Sequence, residues 1–160
     1  MIRTVQESDA QAILDIYAPY VAKTAITFEI TMPSLQDMQK RIQDNSKYGW
    51  LVYEIDQKVV AYAYGSKHRD REAYQWCCEV SVYVNPAYQQ QGVAHKLYTE
   101  LFKALREKGY VNSYAGITLP NIASVKLHES MGFEHIGIYK KIGKKFDQWH
   151  DVGWWGLRLS

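Results

Sequence analysis

The sequence predicts an α/β fold, in which helices cover the faces of a mixed β-sheet. The stretch 92–109 places apolar residues at helical spacing and closes with a glycine, which is the pattern of an amphipathic helix. The stretches 49–55 and 59–65 are rich in aromatic and β-branched residues and flank a short polar turn, which indicates a hairpin. Such segments follow one another without a repeat or a linker, so we expect one domain over residues 1–160.

The first quarter of the chain is predicted to contain a strand and two helices. Residues 2–5 have the pattern of a short strand. Ser8 and Gln11 have the spacing of a capping box, so we expect the first helix to begin at Ser8. Ser34 is a suitable cap for a second helix over 35–44.

The rest of the chain adds further strands and one short helix. Residues 74–84 and 110–119 have the composition of strands, and residues 122–131 have that of a helix. Residues 135–143 and 149–159 are predicted to be two closing strands. The predicted order is therefore β-α-α-β-β-β-α-β-α-β-β, which is that of a mixed sheet with helices packed against it.

Composition and charge disfavour several classes of protein. A formal net charge of +2 argues against a dedicated nucleic-acid binder. No uncharged run approaches the ~18–20 residues of a membrane span, and the N-terminus lacks the apolar core of a secretory signal. The only cysteines, Cys77 and Cys78, are adjacent, so we expect free thiols and a cytoplasmic protein. The scattered histidines have no metal-binding spacing, so we expect no metal site.

The turn QQQGVA, residues 89–94, stands between a predicted strand and the clearest predicted helix. A glycine there lets backbone N–H groups point outward, and the helix N-terminus adds partial positive charge, so the turn is a natural pyrophosphate site. Gly92 can adopt the required backbone shape, and Ala94 leaves room for a ligand. A tight turn that binds nothing has the same pattern, so both interpretations stay open. The stretch is neither a P-loop nor a dinucleotide fingerprint.

Two side chains are candidates for proton transfer. Glu79 lies in an aromatic and largely apolar strand before this turn, where partial burial suits a carboxylate to act as a base. His128 lies on the short helix after LPN, and an imidazole moves protons near neutral pH. The alternatives are an exposed glutamate on a solvated sheet face and a hydrogen-bonded structural histidine.

Several short motifs match one family at matching spacings. QQQGVA fits an acetyl-CoA turn, and LPNIASVKLHESMGF, residues 119–133, fits a second cofactor segment. With AYQW, EVSVYV, LYTEL and WHDVGWW, these motifs make the chain resemble the GCN5-related N-acetyltransferases (GNAT), and within them the phosphinothricin and methionine sulfoximine N-acetyltransferases. The resemblance implies a GNAT fold, with a mostly antiparallel sheet whose V-shaped split holds acetyl-CoA.

The resemblance also implies where the two substrates bind. The strand backbone would hold the pantetheine arm, the N–H groups of residues 90–95 the pyrophosphate, and Asn121 the arm from the other side. The residues expected to contact acetyl-CoA are Val82, Tyr83, Val84, Gln89, Gln90, Gln91, Gly92, Val93, Ala94, His95, Asn121 and Ser124. The residues expected to shape the acceptor pocket are Phe28, Glu29, Arg71 and Tyr74, with Arg69 an equally suitable partner for an acidic group.

The resemblance assigns Glu79 and His128 to acid–base positions and implies direct attack of an amine on the thioester. We therefore expect an acetyl-CoA-dependent N-acetyltransferase for the α-amino group of a small amino-acid analogue, such as phosphinothricin, methionine sulfoximine or methionine sulfone. A protein N-terminus or another small amine as acceptor, and a non-catalytic acyl-CoA sensor, are the alternatives. Relatives of this kind are commonly dimers, so we expect a homodimer. Gln90 and Ala94 depart from the branch, which usually has Arg and Gly there.

Overall fold

A computed structural model describes all 160 residues of the chain, and its seven strands form one sheet. The strands are β1 (Ile2–Thr4), β2 (Trp50–Ile55), β3 (Lys58–Lys67), β4 (Cys77–Val84), β5 (Asn112–Leu119), β6 (Glu134–Lys145) and β7 (Gln148–Arg158). The helices are α1 (Ala10–Lys23), α2 (Leu35–Asp44), α3 (Val93–Glu107) and α4 (Ile122–Ser130). The predicted order of strands and helices is confirmed.

The sheet is antiparallel except at its centre. The strand order is β1-β2-β3-β4-β5-β7-β6, and only β4 and β5 run parallel. Their connection is α3, which fits the rule that parallel neighbours need a long crossover, usually a helix. The predicted fold class, a mixed and mostly antiparallel sheet flanked by helices, is confirmed.

The parallel pair β4 and β5 separates after a short contact. The two strands pair at three positions only, and the last pair is Glu79 with Tyr114. Beyond that pair β4 continues to Val84 and β5 to Leu119 without facing each other. The sheet therefore opens into a cleft at its centre, and backbone groups on both sides of the cleft lack a strand partner.

Each face of the sheet carries its own hydrophobic core. On one face α1 and α2 pack against Trp50 and Tyr62. On the other face α3 packs through Leu101 and its neighbours against Ala61 and Ala63. Consecutive residues of a strand point to opposite faces, so Tyr62 and the two alanines beside it serve different cores. The small alanines let α3 lie close to the sheet, next to the cleft.

The predicted start of α1 at Ser8 is wrong. A short 3-10 turn, Glu7–Asp9, precedes the helix, and the capping residue is Gln6. Asp9 accepts the Gln6 N–H at 2.7 Å and two hydrogen bonds from Arg3 at 2.8 and 2.9 Å. Because of its ion pair with Arg3, Asp9 and not Ser8 supplies the side chain that stabilises this turn. The predicted cap of α2 is confirmed, because the hydroxyl of Ser34 accepts from a backbone N–H of the first turn.

Other expectations concern the membrane, the thiols and metals. None of the four helices combines the length and the hydrophobicity that a bilayer crossing requires. Cys77 and Cys78 are both free thiols, as predicted. Burial raises the pKa of the Cys78 thiol to about 12, so this group stays protonated. The structure groups no three His, Cys, Asp or Glu side chains as metal ligands, and the expected lack of a metal stays a prediction.

Candidate active site

The cleft between β4 and β5 is lined by residues of both strands, of α4 and of the α1–α2 loop. Val82 on β4 and Ile117 on β5 form its two sides, and His128 on α4 lines it from the face of the sheet that carries α3. Ile26, from the loop between α1 and α2, reaches it from the opposite face of the sheet. A ligand in the cleft would therefore contact residues from both faces of the sheet.

β4 directs unpaired N–H groups into the cleft. Asn85, just past the strand, donates its N–H to a carbonyl of the adjacent strand segment at 2.8 Å. Because backbone groups alternate in direction along a strand, the N–H groups of Val82 and Val84 point the other way, toward the split. Of the three residues expected to hold the pantetheine arm, Val82 and Val84 therefore offer donors. The backbone of Tyr83 faces β3 instead.

The start of α3 carries six consecutive N–H groups, those of residues 90–95, that have no acceptor in the protein. The first backbone hydrogen bond of the helix is accepted by the Gly92 carbonyl at 3.1 Å. Gly92 has φ +75° and Gln90 has φ +61°, and these left-handed conformations turn the chain so that its N–H groups point outward. Unpaired donors and the helix dipole together make an anion site.

The side chains of this turn contribute less than its backbone. Val93, the first residue of α3, is buried, whereas Gln90, Gln91 and His95 are exposed. The amide of Gln89 donates to a tyrosine hydroxyl on α1 at 3.0 Å and is turned away from the helix start. A phosphate at this turn would therefore be bound by backbone N–H groups and not by a fixed positive side chain. This fits Gln90, which stands where the family branch usually has arginine.

Asn121 and Ser124 form the start of α4, on the far side of the cleft. The Asn121 side-chain oxygen accepts the Ser124 N–H at 3.2 Å and caps the helix. The amide nitrogen of Asn121 has no partner in the protein and remains free to donate. Both residues line the cleft, so they face the β4 donors across it.

His128 is buried, with only 4% of its surface exposed, and its two ring nitrogens are both engaged. Nδ1 donates to the Ser124 carbonyl at 2.7 Å, so Nε2 is left to accept the Tyr98 hydroxyl at 3.0 Å. Burial lowers the pKa of His128 below its ordinary 6.5, although the bond to Ser124 opposes the shift. Burial raises the pKa of Tyr98, so its hydroxyl keeps its proton. A neutral histidine thus holds a protonated tyrosine at the wall of the cleft.

The lowered pKa of His128 predicts a pH-dependent stability. Below pH 6.5 the unfolded chain takes up a proton on this histidine that the folded chain refuses, so the free energy of unfolding falls. Above pH 6.5 the contribution is complete, and it is lost progressively as the pH drops toward the lowered pKa. In urea titrations, the free energy of unfolding should fall less between pH 7.5 and pH 5.5 for His128→Gln than for wild type. An equal fall in unfolding free energy for both proteins would contradict the lowered pKa of His128.

Glu79 lies on β4 at the last residue before the split, on the face opposite α3. Its Oε2 is 3.0 Å from His68 Nδ1, and its other carboxylate oxygen has no partner in the protein. The Glu79 side chain is 28% exposed. The structure therefore places a half-buried carboxylate at the mouth of the cleft, and neither a solvated sheet face nor a closed core describes its surroundings.

The loop between α1 and α2 forms a wall on the same face of the sheet. Arg41 on α2 donates to both oxygens of Glu29, and the Tyr17 hydroxyl donates to Oε1 at 2.7 Å. Burial opposes ionisation of Glu29, but these hydrogen bonds outweigh it and hold the pKa of the carboxyl below its usual value. The hydrogen-bonding capacity of the Glu29 carboxylate is thus already used by protein donors. Glu29 therefore holds the wall in shape.

The β6–β7 hairpin fixes the neighbouring part of this wall. Lys145 is buried and donates its Nζ to the Thr27 carbonyl at 2.9 Å. Phe28 lies so close to Gly143 that a Cβ there would stand 2.3 Å from the Phe28 ring. Phe28 also packs near His150, with 6.2 Å between ring centroids. Gly143 is therefore required for the position of Phe28.

The loop between β3 and β4 contributes the remaining predicted acceptor residues. Tyr74 is 46% exposed, and its ring centroid lies 6.2 Å from that of His68. The Arg71 guanidinium is exposed and has no hydrogen-bond partner, whereas Arg69 donates to the His68 carbonyl at 3.1 Å. Both arginines lie near Glu79 along the chain, and the geometry does not favour one of them as the partner of an acidic group.

The family model for the acetyltransferase (GNAT) domain matches residues 2–154, which is nearly the whole chain. The chain belongs to the GNAT family. The predicted family is thereby confirmed, and the protein is an acyltransferase. The donor-lined split between β4 and β5 lies inside the matched residues, as do the start of α3 and both predicted acid–base residues.

Relatives of this GNAT enzyme include two that are named for small amino-acid analogues. Phosphinothricin N-acetyltransferase of Streptomyces viridochromogenes is 36% identical over 157 residues, 96% of this chain and 85% of the relative. L-methionine sulfoximine/L-methionine sulfone acetyltransferase of Salmonella typhimurium is 31% identical over 161 residues, 99% of this chain and 94% of the relative. A phosphinothricin acetyltransferase from Sinorhizobium meliloti, solved in complex with AcCoA, gives a TM-score of 0.95 at 29% identity, covering 100% and 88% of the two chains.

Sequence reasoning missed two residues of this GNAT site. His68 pairs with Glu79 because the register of β3 on β4 places them diagonally, and that register cannot be read from either strand alone. Tyr98 reaches His128 because α3 and α4 lie on the same face of the sheet. Tyr98 did carry a signal, because a tyrosine on the apolar stripe of a helix needs a partner for its hydroxyl.

Proposed function

We propose that the chain transfers the acetyl group of acetyl-CoA to the α-amino group of a small amino-acid analogue, such as phosphinothricin, methionine sulfoximine or methionine sulfone. The names of the relatives support this acceptor class. The free thiols of Cys77 and Cys78 suit a reducing compartment, so we also place the reaction in the cytoplasm.

The observation that carries the proposal is the presence of two sets of unpaired backbone donors, one at the start of α3 and one along β4. The six unpaired N–H groups at residues 90–95 suit the pyrophosphate of acetyl-CoA. The N–H groups of Val82 and Val84, with the free amide of Asn121 opposite, suit the pantetheine arm. Glu79 stands at the point where β4 and β5 separate, at the end of this row of β4 donors.

The chemistry requires three operations, and the site has a group for each. An amine near neutral pH is mostly protonated and must lose a proton before it attacks. We assign this step to the Glu79 carboxylate and the groups in contact with it. Attack builds negative charge on the thioester oxygen, which the Val82 N–H can stabilise. The departing thiolate needs a hydrogen-bond donor. The Tyr98 hydroxyl lines the cleft, and its single proton, which His128 Nε2 accepts in the resting site, can turn to the thiolate as the C–S bond breaks. Binding both substrates in one cleft supplies proximity without a covalent intermediate.

The decisive experiment measures thiol release from acetyl-CoA with a panel of amines. The panel contains phosphinothricin, methionine sulfoximine, methionine sulfone, common amino acids, polyamines and a peptide. Turnover with one of the three analogues supports the proposal. Turnover only with the peptide or a polyamine overturns the acceptor class, and tight acetyl-CoA binding without turnover on any amine favours a sensor.

We further propose that the chain forms a homodimer through the β6–β7 hairpin. β6 is an edge strand of the sheet, and edge strands with exposed apolar residues favour pairing with another chain. The exposed apolar residues of this hairpin are Ile136, Ile138, Tyr139, Ile142, Phe146 and Trp149.

Light scattering tests the dimer. Wild type is expected at about twice the 18.6 kDa of one chain. Ile138→Arg, on β6, is expected to shift the mass toward 18.6 kDa, because it places a charge in the apolar patch. Ile30→Arg, at an exposed position outside the hairpin, is the matched control. A wild type that stays at 18.6 kDa at every concentration would refute the dimer.

A further inference from the structure

His68 contacts Glu79, and the mechanism above gives it no role. Its Nδ1 lies 3.0 Å from Glu79 Oε2. The register of β3 on β4 sets this contact, because Ser66 stands opposite Glu79. His68, two residues after Ser66, is therefore the diagonal neighbour of Glu79 on the same face of the sheet, within reach of a long side chain.

Three aromatic side chains fix the imidazole ring of His68. The ring centroid lies 4.9 Å from that of Tyr114, 6.1 Å from that of Trp154 and 6.2 Å from that of Tyr74. The His68 side chain is nevertheless 16% exposed. The ring is thus held in one orientation at the mouth of the cleft and remains accessible from outside.

The contact with Glu79 sets the tautomer of the ring. An ionised carboxylate only accepts hydrogen bonds, so Nδ1 carries the proton and Nε2 keeps its lone pair. Nε2 has no partner in the protein, and it is not among the buried polar atoms that lack one. A carboxylate that orients an imidazole and stabilises the imidazolium is the arrangement by which catalytic triads make histidine a base.

We propose that His68 is the base of the reaction, with Nε2 as the proton acceptor and Glu79 as the group that orients and stabilises it. This inference rests on the proposed function, because it requires an amine acceptor on this face of the sheet. The first proton passes from the ammonium to Nε2, and the freed lone pair forms the C–N bond. As the C–S bond breaks, the second proton of the nitrogen ends on the departing thiolate. The imidazolium then releases its proton to water.

His68→Asn and His68→Ala test the proposal by thiol release. The asparagine amide can replace Nδ1 as the donor to Glu79, but it cannot accept a proton. Both variants are expected to lose about 10²- to 10⁴-fold in kcat/KM, with an unchanged KM for acetyl-CoA. His135→Asn, the same substitution at an exposed histidine on β6, is the control and should keep wild-type rates.

Two further readouts separate a base from a residue that only supports the fold. The activity left in His68→Asn should rise by up to about tenfold per pH unit, because only the free amine now reacts. Added imidazole should restore activity to His68→Ala, since that variant opens a space beside Tyr114. The other titratable groups near the His68–Glu79 pair, whose variants control for the pH profile, are Arg69, Tyr74, Cys77 and Tyr114.

Three outcomes overturn the proposal. If His68→Asn stays within about threefold of wild type, the histidine serves only to hold Glu79. If both variants lose activity without a change in pH profile and without rescue by imidazole, the role is structural. If wild type turns over no amine, the proposed function itself fails and the inference fails with it, whereas the first two outcomes leave the proposed function intact.

Discussion

Glu79→Gln is expected to lower kcat for acetyl transfer by about 10²- to 10⁴-fold. The amide has the same size and can still accept from His68 Nδ1 at 3.0 Å, so the local packing is kept. The charge that assists proton removal from the acceptor is lost. The KM for acetyl-CoA should stay unchanged, because the backbone donors of β4 and α3 are untouched.

The measurement is thiol release at saturating acetyl-CoA with the best amine of the panel. Glu107→Gln, at an exposed position at the end of α3, is the matched control and should retain the wild-type rate. A Glu79→Gln enzyme with near-wild-type kcat would remove this carboxylate from the mechanism. A raised KM for acetyl-CoA with unchanged kcat would move its role to binding.

Tyr98→Phe is expected to reduce both stability and turnover. Tyr98 is fully buried and its ring stacks on Phe102, with 4.9 Å between the centroids, so the phenylalanine ring fits. The substitution leaves the buried Nε2 of His128 without its 3.0 Å partner. An orphaned buried acceptor costs about 1–3 kcal/mol of unfolding free energy. Loss of the donor at the cleft should lower kcat by about 10²-fold or more.

Urea denaturation and thiol release check the two effects of Tyr98→Phe separately. Tyr110→Phe is the matched control, because the Tyr110 hydroxyl has no hydrogen-bond partner in the protein. Its free energy of unfolding and its kcat should match wild type. Reduced stability with normal kcat would leave Tyr98 as a support for His128 and would end its assignment to the leaving thiolate.

The fold could be predicted from the sequence because its signals are local. The apolar stripe of α3, the hairpin of β2 and β3, and the cap of α2 each depend on residues close in the chain. The predicted start of α1 was wrong because the true start depends on a contact between residues of different elements. Asp9 takes its role from Arg3 in β1, and a contact between elements overrides the preference of Ser8 for a cap.

The site could be predicted only where backbone shape carries it. Gly92 marks the turn before α3, and Glu79 lies on the strand that precedes that turn. The contacts of Phe28 with Gly143 and of Lys145 with Thr27 join segments more than 100 residues apart. No local pattern encodes such contacts, so the wall formed by the α1–α2 loop and the β6–β7 hairpin was the least predictable part of the candidate site.

The unpaired N–H groups of residues 90–95 have a consequence for how the family can vary. Every residue except proline carries the same main-chain donor, so a site made of such donors places little demand on side-chain identity. Gln90 and Ala94 can therefore replace other residues while the donors stay in place. The proposed phosphate site can persist through wide divergence, whereas the proposed acceptor pocket, which is built from side chains, is free to change its ligand one substitution at a time.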